Sequence, residues 1–122
     1  MAVDQLAQDS GLDLIELLSR VEGDYDLLRD IFEVFNEEFP RAYQILTAAL
    51  TSNDLKQVQF SAHTLYGMFS SLSFVRASVC ARRIELMARV EQRDGIDEEV
   101  ASLEQTAYVA QASLQRACLA VC

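Results

Sequence analysis

Residues 55–72 read LKQVQFSAHTLYGMFSSL. Apolar residues recur along this stretch at alternating gaps of three and four, the spacing that places side chains on one face of an α-helix. These residues are Leu55, Val58, Ala62, Leu65, Phe69 and Leu72. Asp54 precedes the stretch, and Gln57 stands three residues later in the relation of a capping box. The pattern therefore predicts an amphipathic helix that starts after Asp54 and buries one narrow stripe.

Two more helices are predicted before this one. The first is short and covers about residues 13–21, and the second is long and covers about residues 24–52. The Gly23-Asp24 step ends the first and caps the second. Pro40 interrupts the long helix, but the apolar pattern resumes in phase. A kink near Asn36 is therefore expected rather than a break.

Two helices are predicted after the quoted stretch, over about residues 75–92 and from residue 96 onward. The last one carries a heptad pattern of Val100, Leu103, Ala107, Ala110, Leu114, Ala117 and Val121. Four long amphipathic helices with short connections favour an all-α fold. We expect an antiparallel up-down four-helix bundle with a short additional N-terminal helix, formed by residues 1–122 as a single domain.

The composition is that of a globular protein, with 51% hydrophobic and 24% charged residues among 122. No apolar run reaches the roughly 18 residues of a membrane span, and the N-terminus lacks the features of a signal peptide. A cytoplasmic location is therefore expected. Cys80 is expected as a small buried residue, while Cys118 and Cys122 form a helical pair without a structural role.

The net charge of −9 argues against nucleic acid as a partner. Acidic residues crowd the first third of the chain, which is interpreted as a solvated face. Residues 56–93 are locally basic by contrast, and they include His63, the single histidine.

His63 is predicted to point away from the core. Each helical residue advances about 100°, which puts His63 roughly 130° from the centre of the apolar stripe. Phe60, Gly67 and Ser70 share this outward side, and Tyr66 lies on its flank. A glycine inside a helix costs roughly 1 kcal/mol relative to alanine, so Gly67 needs a reason. We infer that the missing side chain keeps the imidazole accessible to another protein.

The neighbouring helix is predicted to bring arginines to the histidine. A hairpin that turns near Ser73 places His63 level with Arg83, with Arg82 close by and Arg89 about a turn beyond. A guanidinium beside an anion on His63 would form charge-assisted hydrogen bonds.

Other side chains near this level have two interpretations each. Glu85 is expected as a surface carboxylate, with a hydrogen bond to the imidazole as the alternative. Phe60, Met68 and Tyr66 form either an apolar docking rim or a set of side chains packed partly on the second helix.

A single histidine also excludes several kinds of chemistry. It cannot form a multi-histidine metal site, and a Ser-His-Asp triad is not expected on an exposed helix face. No glycine-rich phosphate loop is present, so no ATP-binding motif and no cofactor of its own are predicted. A histidine that acts as a nucleophile toward a group brought by another protein fits these exclusions.

Residues 61–67, SAHTLYG, resemble the AHxLKG signature of histidine-containing phosphotransfer (HPt) domains. Residues 17–40 are similar to the first two helices of that family, and residues 76–89 to its fourth. The resemblance implies a phosphorelay carrier rather than an enzyme, with His63 passing a phosphoryl group between receiver-domain aspartates.

The resemblance also implies roles and partners. Gly67 matches the glycine that lets the receiver approach, and Arg89 matches a position where some members carry a basic side chain. The implied partners are response-regulator receiver domains and a hybrid histidine kinase, and the receiver would supply Mg²⁺. Tyr66 stands where the family has lysine, and Ser73 where it has a second glycine.

These departures keep two alternatives open. Arg82 and Arg89 can supply the positive charge in place of the lysine, or phosphotransfer can be lost while docking remains. In the latter case the chain is a non-phosphorylated adaptor that docks receivers or a kinase. A scaffold or cofactor bundle with His63 as a lone ligand is a third interpretation, disfavoured because bundle cofactors lie inside.

Overall fold

The computed structural model describes residues 11–120, and five helices follow one another there. They are α1 (Leu14–Arg20), α2 (Tyr25–Thr51), α3 (Leu55–Ser71), α4 (Val75–Arg89) and α5 (Ile96–Ala120). Consecutive long helices pack on each other across short turns, α2 on α3, α3 on α4 and α4 on α5. The predicted all-α bundle with a short additional N-terminal helix is confirmed. That residues 1–122 form a single domain stays a prediction.

Aspartates at the helix starts supply the predicted caps. Asp24 accepts a hydrogen bond from the backbone N–H of Leu27 at 3.0 Å, and Asp54 accepts one from Gln57 at 3.1 Å. Each cap satisfies a backbone donor that has no partner within the helix. Helix α2 continues through Pro40 without a break, as predicted, while a kink near Asn36 stays a prediction.

The core stripe of α3 is buried as predicted from Val58 to Leu72, while Leu55 at its start is only partly buried; Val58, Ala62 and Leu65 are fully inaccessible. An aromatic cluster lies next to it, with ring centroids between 5.2 and 6.3 Å apart. Its members are Phe35, Phe39, Phe69 and Phe74. The predicted stripe of α5 is also buried from Val100 to Ala117, and Val121 lies outside the described residues. This packing fixes the rotation of α3 and turns its opposite face to solvent.

Helix α1 is fastened to the turn between α3 and α4. Leu17 is fully buried, and the Arg20 guanidinium donates to the carbonyl of Ser70 at 2.7 Å. The Ser73 hydroxyl donates to Glu16 at 2.8 Å. Ser73 adopts a left-handed backbone with φ of 55°, a conformation that favours glycine. Ser73 stands where the resemblance implies a glycine, and its side chain forms this hydrogen bond to Glu16.

The remaining predictions concern cysteines and membranes. Cys80 is buried as predicted, and desolvation raises the pKa of its thiol. Cys118 is buried as well, whereas Cys122 lies outside the described residues, so their pairing is not described. None of the described helices combines the length and apolar character needed to cross a membrane.

Candidate functional site

His63 lies on the solvent side of α3, and its side chain is 64% exposed. The outward direction that the apolar stripe predicts is therefore confirmed. Gly67 follows one turn later on the same face and is exposed. A Cβ atom at this position would have no neighbour within 4 Å. Packing inside the chain therefore does not require a glycine here, and the surface beside the imidazole is open.

The imidazole is held by a carboxylate of the neighbouring helix. Its Nδ1 lies 3.0 Å from Oε2 of Glu85, whose side chain is only 6% exposed. The expectation of a surface carboxylate is therefore wrong, and the hydrogen-bonded alternative is present. Glu85 follows Ala81 by four residues and precedes Ala88 by three, and both alanines are buried. Glu85 thus lies on an inward-facing side of α4.

Two arginines surround the same carboxylate. Arg82 donates from Nη1 to Oε1 of Glu85 at 2.9 Å, and Nη2 of Arg89 lies 3.7 Å from Oε2. A buried carboxylate is costly unless it is paired and hydrogen-bonded, and these partners supply both. The structure therefore joins Arg82 and Arg89, two predicted site residues, to His63 through Glu85.

The hairpin count placed Arg83 level with His63, but the Arg83 side chain turns toward α5. Its Nη1 lies 3.8 Å from Glu99 on α5. The neighbouring Arg82 instead turns toward α3, where its Cζ lies 5.9 Å from the ring centroid of Tyr66. This distance is within the range of a cation–π contact. Tyr66 is half-buried and so contributes a surface on which the guanidinium rests.

The proposed docking residues divide into exposed and packed ones. Phe60 is 66% exposed, an unusual state for a large aromatic side chain. Met68 and Tyr66 are half-buried and pack against the core, so partial packing is observed for these two. Ser70 lies toward the other end of α3, and its carbonyl binds Arg20.

An apolar groove lies between α2 and α3. It measures about 450 Å³ and is lined by Ile31, Val34, Phe35, Glu38, Met68, Ser71 and Leu72. A separate, smaller depression of about 160 Å³ lies beside Phe60 and is lined also by Ala42, Ile45, Gln57, Ser61 and Thr64. Three apolar residues of α2, Val34, Ile45 and Leu27, are 59%, 51% and 44% exposed.

The charged cluster is not a metal centre as it stands. Within residues 11–120, no group of three or more histidine, cysteine or acidic side chains is arranged to hold a metal ion. The cluster instead joins one imidazole, one buried carboxylate and two guanidinium groups. It therefore presents an exposed nucleophilic nitrogen next to positive charge.

Comparison with known proteins now gives the class of protein. The family model of the Hpt domain matches residues 30–117, and the chain belongs to this family. The crystal structure of the HPT domain from the Hpt sensor hybrid histidine kinase of Shewanella has the same fold, with a TM-score of 0.72 at 17% identity. The match covers 87% of this chain and 92% of that chain. No curated protein matches the sequence.

Family membership indicates a phosphotransfer role in two-component signalling. HPt domains are phosphotransfer carriers rather than catalytic enzymes, and their partners are of two kinds, kinases and receiver domains.

Proposed function

We propose that the protein is a phosphorelay intermediate that carries a phosphoryl group on Nε2 of His63. The observation that carries this proposal is the contact between Nδ1 of the exposed imidazole and buried Glu85. Because Glu85 accepts hydrogen bonds, it favours the tautomer with the proton on Nδ1. Nε2 then keeps its lone pair, which makes it the nucleophile.

The nucleophile of the transfer step is Nε2 of His63, and the leaving group is the carboxylate of the receiver aspartate. The Nε2 lone pair attacks the phosphorus of an aspartyl phosphate on a receiver, and an N–P bond forms. The P–O bond to the aspartate breaks, and its electron pair leaves with the carboxylate. The imidazole ring becomes positively charged because it retains the Nδ1 proton, and Glu85 stabilises that charge. The reverse step delivers the phosphoryl group to the aspartate of a second receiver.

Little further machinery is needed from this chain. Phosphoryl transfer depends mainly on in-line positioning and on stabilisation of charge. Arg82 and Arg89 supply positive charge beside His63. The receiver supplies Mg²⁺ in this proposal, and no cofactor is assigned to the HPt chain.

The partner would dock on the solvent-exposed face of α3 that carries His63 and Gly67. Gly67 leaves room beside the imidazole, and Phe60 with the adjoining depression offers apolar surface. Tyr66 and Ser70 border this contact area. A receiver domain is the proposed partner on this face, and a hybrid histidine kinase is the proposed source of the phosphoryl group.

A transfer assay with purified cognate receivers tests the proposal. The protein should gain acid-labile, alkali-stable phosphate from a phosphorylated receiver, and His63→Gln should abolish this signal. The variant Thr51→Ala is the control, because Thr51 lies at the end of α2, away from the proposed docking face, and its hydroxyl bonds only to a helix carbonyl among the contacts described. Receivers that bind the wild-type protein but never transfer phosphate to it would replace the proposal with the adaptor function.

A further inference from the structure

Arg82 is held at two points while part of its side chain remains open to solvent. Its guanidinium donates to Glu85 at 2.9 Å and lies 5.9 Å from the centre of the Tyr66 ring. The side chain is 45% exposed. A long cationic side chain at a surface is ordinarily mobile, and these two contacts restrict Arg82 to the neighbourhood of His63.

Phosphorylation of His63 would change the charge balance around Glu85. In the free form, Glu85 is a buried carboxylate beside a neutral imidazole, so the positive charge it needs comes from Arg82 and Arg89. With a phosphoryl group on Nε2 and the proton still on Nδ1, the ring is a cation. Glu85 then has a charged partner in the ring itself and no longer needs both arginines.

The phosphoryl group also adds negative charge beside the ring, which a nearby cationic side chain would stabilise. It carries between one and two negative charges at neutral pH and three strong acceptor oxygens. A guanidinium is well suited to pair with such oxygens through parallel N–H donors. The single lysine of the chain, Lys56, lies seven residues before His63 and two turns away.

We propose that Arg82 moves from Glu85 to the phosphoryl oxygens when His63 is phosphorylated, and that the Tyr66 ring keeps it in reach in both states. This inference rests on the proposed function. It adds Arg82 as a phosphoryl-binding residue that pairs with Glu85 while His63 is unphosphorylated. One carboxylate bridges the imidazole and the guanidinium, so Arg82 starts next to the ring that would carry the phosphoryl group. Arg89 starts 3.7 Å from the carboxylate and remains with Glu85.

The lifetime of the phosphohistidine tests the exchange. Small-molecule phosphoramidate loads His63 without any receiver, so the result does not depend on finding a cognate partner. Arg82→Gln should shorten the half-life of the loaded protein about tenfold, the effect of roughly one charge-assisted hydrogen bond. Arg83→Gln is the matched control, since it removes the same charge from the next residue, which pairs with Glu99. Its half-life should stay within twofold of wild type.

Variants of Tyr66 separate positioning from simple charge. Tyr66→Leu removes the aromatic face and should shorten the half-life a few-fold, and Tyr66→Phe, which keeps that face, should shorten it less. In the Arg82→Gln background, Tyr66→Lys should restore most of the lost lifetime, because it places an ammonium group on the same side of α3. A purely structural role for Arg82 would not be rescued in this way.

Nuclear magnetic resonance of the arginine side chains gives a second, direct readout. The Nε resonance of Arg82 should shift on loading, and that of Arg83 should not. Equal half-lives for Arg82→Gln and Arg83→Gln, or an Arg82 resonance that is unchanged by phosphorylation, would overturn the exchange. Either result leaves the carrier function standing if His63 still accepts phosphate from a receiver. Loading that never occurs at His63 would overturn both.

Discussion

The two helices that flank α3 present opposite chemistry to the face that carries His63. On the α2 side the surface is apolar, with a groove beside exposed Val34 and a separate depression beside Phe60 of α3. On the α4 side it is a charged cluster in which Arg82 and Arg89 surround Glu85. The histidine lies between the two, so in the proposed complex each flank would touch a different part of the phosphorylated receiver.

This difference suggests a division of labour. An apolar groove contributes affinity in proportion to the area it buries and does not depend on the state of a small anion. A carboxylate with two guanidinium groups contributes little area but responds strongly to added charge. We therefore expect α2-side variants to change docking and α4-side variants to change the chemistry of the phosphoryl group.

The largest effect is expected at Glu85. Glu85→Ala should lower the rate of phosphotransfer about 100-fold, because the imidazole loses the group that fixes its tautomer and stabilises its developing charge. Glu85→Gln should lose less, since an amide oxygen still accepts from Nδ1–H. Rapid-quench kinetics with a saturating phosphorylated receiver would measure both rates. A loss of transfer rate below threefold for Glu85→Ala, or an equal loss in docking affinity, would contradict the assignment of phosphoryl chemistry to the α4 side and of docking to the α2 side.

The next effect is expected on the α2 side, at Phe60. Truncation to alanine should weaken receiver binding about tenfold, because an exposed aromatic side chain can act as a buried anchor of an interface. The phosphohistidine half-life should not change. Val109→Ala is the control, since Val109 is also an exposed apolar residue but lies on α5. Calorimetric titration with the receiver would distinguish the two variants, and equal affinities would contradict a docking role for the α2 side.

Gly67 lies on the face between the flanks and should show opposite changes in stability and function. Gly67→Ala should raise the free energy of unfolding by about 1 kcal/mol, because alanine favours the helix and the added methyl group meets nothing in the free chain. Transfer should become slower, and slower still with Gly67→Phe. Urea unfolding and transfer kinetics on the same samples measure this. Transfer by Gly67→Phe at the wild-type rate would show that the open surface is not needed for approach.

The smallest effect is expected at Tyr43, on the part of α2 that faces Glu104 of α5. Burial, and then the charge of Glu104, raises the pKa of Tyr43 above its ordinary 10.0. The unfolded chain therefore loses this proton first, and the stabilising contribution is fully present below about pH 10 and lost as pH rises through the folded-state pKa. Tyr43→Phe should flatten the fall in stability above pH 10. Phosphotransfer at neutral pH should be unchanged, and an unchanged alkaline slope would contradict the assignment.

Helical periodicity predicts most of this fold because one buried stripe per helix determines both its length and its rotation. The stripe of α3 through Ala62 and Leu65 correctly places His63 outward, and Asp54 correctly marks the start of the helix. The same periodicity does not show that Val34 and Ile45 are exposed, because apolar residues at helical spacing indicate a face without showing how much of it a neighbour covers.

Glu85 is the residue that sequence reasoning misjudges most. A charged residue on an amphipathic helix is ordinarily solvated, so the residue type alone predicts an exposed Glu85. Its burial depends on compensation by three side chains from two helices, which only the packing of α3 against α4 brings together. The signal that was available is the spacing from Arg82 to Glu85 to Arg89, three and four residues, which allows both arginines to reach one carboxylate.

The attachment of α1 has a practical consequence for anyone who trims this protein. The Hpt family match begins at residue 30, after α1 has ended. A fragment cut to that boundary would lack Leu12 and Leu17, both fully inaccessible, and would lose the backbone bridge between Leu12 and Phe74. We expect such a fragment to aggregate, or to unfold at a lower temperature than a version that keeps α1.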